Sequence, residues 1–340
     1  MAKRKETKKE KNRKRKILLA LLLVVFTGVI LTANTYAWFT SNKTITVNSI
    51  DVQVTTANGI QVSTDATNWK TIITNTDLNN TLAATSAYST NTNQLPLKST
   101  ENTVIPVSTG GTVASGKLKM YSGELSANAT TGVAELTTDP SVEAKGNSGD
   151  FVAFDLFFLV SQNSVVKLGA GSSVTTSTGA SNKGLKNAAR VAWINEGNAA
   201  TGNVSAAQGL SSGTAATTLI WEPNNNVHTD AAIADALSTY GMTITSSQVM
   251  SNYYGVDADI NTAVSLNPIT PGTNFKQVTP GLKTADGVLA ADQDWFSLPA
   301  GITKVRFYLW IEGQDVDCEN NASGDAISFN MNFVLQDNNP

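Results

Sequence analysis

His228 is the only histidine in this chain and Cys318 the only cysteine. Those two counts remove most catalytic chemistry. A zinc hydrolase needs several nitrogen or carboxylate ligands converging on an open position, and no His-Glu-x-x-His occurs. A Ser-His-Asp triad would have to use His228, with Asp230 the nearest acid in sequence. No Gly-x-Ser-x-Gly elbow supplies its nucleophile, and the polar stretch around His228, just ahead of a helical pattern, reads as an exposed loop. Cysteine catalysis would need Cys318 and the same histidine. As the sole cysteine, Cys318 reads as a partly buried small residue near a strand end; with no partner, it leaves the fold to rest on a hydrophobic core. P-loop and dinucleotide fingerprints are absent. A glycosidase needs only two carboxyl groups at a suitable separation, but no pair stands out among the acids.

The residues best placed to do chemistry are acidic. Asp315, Asp317, Glu319, Asn321 and Asp325 crowd one loop. Hard oxygen donors at alternate positions suit Ca²⁺. The spacing lacks the glycine of an EF-hand, and the competing reading is a solvated acidic loop. Asp257/Asp259 and Asp292/Asp294 are lesser clusters. Calcium is the one ion the sequence suggests, and no organic cofactor is expected.

The elements around that loop read as β-strands. Val305, Phe307, Leu309 and Ile311 alternate before it. Ile327, Phe329, Met331, Phe333 and Leu335 alternate after it, and the two runs are expected to pair across residues 313–326. Residues 151–160 are apolar on both faces apart from Asp155, as in a central strand covered on both sides. Residues 44–54 alternate with a bulge near Asn48-Ser49, and with 60–63 across Ala57-Asn58-Gly59 they read as a hairpin. Residues 190–194 and 218–221 are further strands, while 73–150 reads as short strands and long Thr/Asn/Ser-rich loops. One helix is expected over Ala231–Tyr240. Thr229 or Asp230 caps it, Gly241 ends it, and Ile233, Leu237 and Tyr240 share a face. The six tryptophans read as core or edge cover more readily than as sugar-stacking platforms. Many strands with no βαβ rhythm predict an all-β fold: an antiparallel β-sandwich, jelly-roll-like, with one short helix in a crossover loop.

The N-terminus sets the compartment. Residues 3–16 hold ten Lys and Arg, and residues 17–33 are uncharged and mostly apolar. Thr35-Tyr36-Ala37 then supplies a small-x-small triplet. This is the pattern of a secretory signal with cleavage between Ala37 and Trp38; if uncleaved, residues 17–37 would serve as a membrane anchor and transmembrane helix. The organisation is thus 1–37 signal or anchor and 38–340 exported domain. Lys plus Arg number 24 and Asp plus Glu 27 overall, but beyond residue 37 the counts are 14 and 25. A basic head suits an anionic inner leaflet; an acidic body is poorly suited to nucleic acid.

Thr35-Tyr36-Ala37-Trp38-Phe39-Thr40, following a long apolar stretch and preceding Thr-rich strands, resembles the processing region of camelysin and the TasA-like matrix-fibre proteins of Gram-positive bacteria. The specific match covers about residues 17–55. The resemblance implies an exported, non-enzymatic surface or biofilm-matrix protein, a fibre subunit whose N-terminal strand (here Trp38 to Val54) completes the sheet of the next copy, so that its partner is itself or another surface protein. The metallopeptidase label of camelysin relatives does not carry over to a chain with one histidine. The alternative reading is a membrane-anchored adhesin or glycan-binding protein, and a weaker one is a secreted hydrolase. Trp310-Ile311-Glu312-Gly313-Gln314-Asp315-Val316-Asp317-Cys318 also resembles a recurrent ending among exported proteins of such bacteria, without implying a function.

Overall fold

The computed structural model describes residues 45–55, 60–74, 76–78, 93–94, 103–143, 149–212, 218–285 and 287–337. By contact the chain divides into two compact units, Met1–Thr35 and Tyr36–Pro340, and every described residue belongs to the second. The apolar leader, the Ala37–Trp38 junction and the 57–59 turn lie outside the described residues. No described helix is long and apolar enough to cross a membrane.

The fold is all-β. Strands of three or more described residues are β1 Ile45–Thr55, β2 Gln61–Ser63, β3 Met120–Ala127, β4 Ala134–Ser141, β5 Val152–Val160, β6 Ser164–Leu168, β7 Ser173–Thr176, β8 Ala189–Ala199, β9 Thr218–Glu222, β10 Tyr253–Val256, β11 Phe275–Val278, β12 Gln293–Leu298, β13 Gly301–Ile311 and β14 Ala326–Asp337. One sheet runs β12-β6-β14-β1, with β7 also on β14 and two-residue strands at 72–73 and 103–104 on the far side of β1. The other runs β9-β8-β13-β5-β2, with 282–283 beside β9 and 93–94 on β5. The two sheets face each other across a single apolar cluster. Val52, Phe329, Met331 and Phe333 come from the first sheet and Phe154, Phe158, Trp193, Phe307 and Leu309 from the second. Alternation explains the arrangement: on a period of two, every second side chain of β13 and β14 is apolar and must be covered.

Three expectations about pairing are corrected. Residues 45–55 and 61–63 form no hairpin: β1 pairs with β14 in one sheet, while β2 pairs with β5 in the other. Likewise β13 and β14 are not neighbours. They lie in opposite sheets, and loop 312–325 carries the chain from one to the other. Both apolar faces are satisfied better by meeting across the core than by lying side by side. The sheets are also not wholly antiparallel, since β1 runs parallel to β14 and β9 parallel to 282–283. The bulge in β1 appears as expected, with a register shift between Val47 and Ser49.

The second sheet is covered on its outer face too. Every residue of β13 is buried. Phe151, Ala153, Ala192, Tyr308 and Trp310 pack under Val107, Val113, Leu118 and Met120. The hairpin β3–β4, hidden in the part of the sequence that read only as short strands and loops, joins 107–108 and 264–265 in a third sheet. Besides the expected helix, α2 Asp230–Tyr240, the described residues hold α1 Val204–Gln208, a single turn, and helical residues at 76–78. Thr229 caps α2, accepting from the Ala232 N–H, and Gly241 closes it at φ 66°. The buried face of α2 is Ala232, Asp235, Ala236, Thr239 and Tyr240, whereas Leu237 is 59 % exposed. The helix is rotated from the apolar reading because small residues let it approach the third sheet closely.

Candidate functional site

The charged and polar side chains with functional potential are gathered at one end of the second sheet. Arg190, at the start of β8, is only 1 % exposed. Its NH2 donates to Glu222 Oε1 at 2.8 Å and to Asp315 Oδ2 at 2.5 Å, and its NH1 donates to the carbonyls of Asn187 and Ala189 at 3.2 and 2.9 Å. The guanidinium lies 5.3 Å from the centre of the Tyr253 ring. Burial opposes its charge, but Glu222 and Asp315 outweigh that and hold Arg190 protonated. Burial pushes the Glu222 carboxyl above the usual range, with Arg190 opposing.

His228 belongs to the same cluster, and the expectation of an exposed loop histidine is wrong. It is 7 % exposed. Its Nδ1 is 2.7 Å from Asp317 Oδ2 and its Nε2 2.9 Å from the Gln248 carbonyl. Burial disfavours the charged ring, yet the bond to Asp317 wins and raises the histidine to about 9. With both nitrogens engaged, the ring ties the chain before α2 to the Gln248 backbone and to Asp317. Asp230, its neighbour in sequence, plays no part; Asp317 is 89 positions away.

Of the four acids read as a calcium loop, each faces a different partner. Asp315 binds Arg190 and accepts from the Asp317 N–H at 2.9 Å. Asp317 holds His228 and accepts from Asn187 Nδ2 at 3.4 Å. Glu319 caps a short turn by accepting from Asn321 N at 2.6 Å. Asp325 accepts from the N–H groups of Lys183 and Ala326 at 3.0 and 2.9 Å. Among the described residues no group of three or more His, Cys, Asp or Glu side chains is arranged to hold a metal ion. Just before them, Glu312 accepts from Trp310 Nε1 at 3.0 Å and from Gln314 N at 3.1 Å, and burial raises it to about 7. The Trp310–Cys318 stretch is therefore a clasp. Its acids fasten the inter-sheet loop to Arg190 of β8 and to His228 ahead of α2. Cys318 is fully buried in the main core, and burial pushes its thiol well up. Trp193, Trp221, Trp295 and Trp310 are buried and offer no sugar platform, while Trp69 is half-buried against a small satellite core.

A second ionic cluster lies on the outer face of the same sheet. Arg306 Nε donates to Asp155 Oδ1 at 2.8 Å, and Lys304 Nζ lies 3.3 Å from Asp155 Oδ2. Glu143 and Glu196 stand 3.6 and 3.8 Å from the Arg306 NH1. Asp155, which breaks the apolar run of β5, is thus explained: it neutralises two cations that β13 carries into the interior. The alternating Lys304 and Arg306 were legible in the sequence; that they would be buried was not.

Beside the first cluster is a cleft of about 130 Å³, lined by Arg190, Glu222 and Asp315, by tyrosines and methionines, and by Asn252 and Gln314. It joins charge, aromatic surface and open space, as does a shallower hollow lined by Lys117, Lys119, Tyr121 and Glu143. What the fold and this site define is an all-β protein with buried internal ion networks and a small aromatic cleft. No family model matches the chain, and neither a curated protein nor a solved structure matches it.

Proposed function

We propose that this chain is a non-enzymatic exported protein of a bacterial surface or extracellular matrix, similar in kind to the TasA-like fibre subunits, with its two main sheets arranged as a jelly-roll-like sandwich. The basic-then-apolar leader delivers the acidic body across a membrane, either released after Ala37 or held by residues 17–37. Its partners are further copies of itself or other surface proteins. The ion pairs of Arg190, His228 and Arg306 support a non-catalytic role, because they tie separate elements of the fold together.

The observation that carries the assembly reading is the seat of β1. This strand arrives from the N-terminal leader, lies parallel to β14 over nine registered pairs from Thr46↔Ala326 to Thr55↔Val334, and buries Ile45, Val47, Ile50, Val52 and Val54. On its other side, among the described residues, only 72–73 and 103–104 pair with it. Were β1 to swing out, the described β14 edge would be left open over those nine positions, and the β1 of the next copy would fit it by the same register. That is β-augmentation by exchange. The test is a lock. Gln53 and Asn332 are registered partners, so oxidised Gln53→Cys/Asn332→Cys fixes β1 to its own β14. The exported form should then stay monomeric, and reductant should restore fibres visible by electron microscopy. Fibres formed by the intramolecularly locked protein would refute exchange, and an unlocked protein that never polymerises would refute assembly.

A further inference from the structure

The cleft beside Arg190 carries an inference independent of how copies assemble. Three elements bring its walls together: the C-terminal end of α2 supplies Tyr240, β10 supplies Tyr253, and the loop after β13 supplies Asp315 and Val316. Three polar atoms of its lining residues are buried without a partner. Arg190 Nε and the hydroxyls of Tyr240 and Tyr253 make no hydrogen bond, and Arg190 is 1 % and Tyr240 8 % exposed. Three orphaned groups around one small cleft are costly unless something there answers them.

The walls restrict what that is. An anion would meet Glu222 and Asp315, and a cation would meet Arg190. A sugar ring needs polar partners around its whole edge, whereas Met242, Met250, Ile269 and Val316 present only apolar surface. Space of about 130 Å³ is the size that takes one benzene-like ring. Tyr253, already under the guanidinium, offers an aromatic edge to such a ring.

We propose that this cleft binds a neutral phenol: a flat apolar ring lying among the methionines and tyrosines, its single hydroxyl accepting from Arg190 Nε and exchanging a hydrogen bond with the Tyr240 hydroxyl. The phenol is either a free small molecule or the side chain of a tyrosine.

The test uses the purified exported chain and saturation-transfer NMR with calorimetry. The probes are p-cresol, toluene, benzoate, benzylamine and N-acetyl-tyrosinamide. p-Cresol should bind saturably with Kd near or below about 1 mM. Toluene should bind about tenfold more weakly for the missing hydrogen bonds, and benzoate and benzylamine not at all. Tyr240→Phe removes an unpaired hydroxyl, so the melting temperature should hold while p-cresol loses about tenfold and toluene does not. Met250→Trp, which fills the cleft, should abolish both. Binding of N-acetyl-tyrosinamide as tightly as p-cresol assigns the site to a tyrosyl side chain; binding of p-cresol alone assigns it to a free phenol. Equal affinity for p-cresol and toluene, an unchanged p-cresol affinity in Tyr240→Phe, or water as the sole occupant with no probe bound would each overturn the proposal.

Discussion

Asp235→Asn should make this protein more stable at neutral and alkaline pH and leave it unchanged in acid. Asp235 sits on the inner face of α2, fully buried. Its Oδ1 accepts from Thr239 Oγ1 at 2.9 Å, and its Oδ2 has no partner. Burial is the largest influence and, with Thr239 opposing, raises the carboxyl from 3.8 to about 8. A raised acid favours the fold while it keeps its proton. That contribution is complete below pH 3.8, erodes as the unfolded chain ionises first, and is gone once pH passes about 8. Each tenfold in proton affinity is worth about 1.4 kcal/mol, so the full rise caps the effect at roughly 6 kcal/mol. Leu237 on the same helix is 59 % exposed, so water lies one helix width away, and we expect a few kcal/mol in practice. Asparagine keeps the bond to Thr239 and cannot ionise. Urea unfolding followed by tryptophan fluorescence from pH 4 to pH 9 reads the difference directly. Wild type and variant should coincide near pH 4 and diverge steadily to pH 8. A gap that does not change with pH would refute the reasoning, as would a variant less stable throughout.

Arg190→Met should destabilise the fold by about 3–5 kcal/mol, because Glu222 and Asp315 are left facing each other without a cation; chemical denaturation measures it, and the loss should deepen as pH rises. Phe158→Ala, at the junction of rings from both sheets, should cost about 3–5 kcal/mol in the same assay. Gly301 stands at φ +117°, and a Cβ there would meet the Ala199 carbonyl oxygen at 2.3 Å; Gly301→Ala should lower stability by at least about 2 kcal/mol, seen as a drop in melting temperature. The Cys318 thiol, buried and with its proton held tightly, should resist Ellman's reagent in the folded chain and react fully in urea.

Local pattern was enough wherever one residue's neighbours in sequence are also its neighbours in space. Period-two alternation placed β5, β13 and β14, and Thr229 and Gly241 bounded α2, because these signals report on a strand face or a helix end alone. Alternation also made Asp155 conspicuous, since a charge inside an apolar run needs a distant counterpart. The sequence could not say that the counterparts are Lys304 and Arg306. Tertiary structure alone decided partners. It sent β1 to β14 rather than to β2, set β13 and β14 in opposite sheets, and turned an acidic loop into a clasp on Arg190 and His228. Such pairings join residues up to about 280 positions apart. They are chosen by which apolar faces can be covered at once and which buried charges can be neutralised, and neither condition is written in any one stretch of chain.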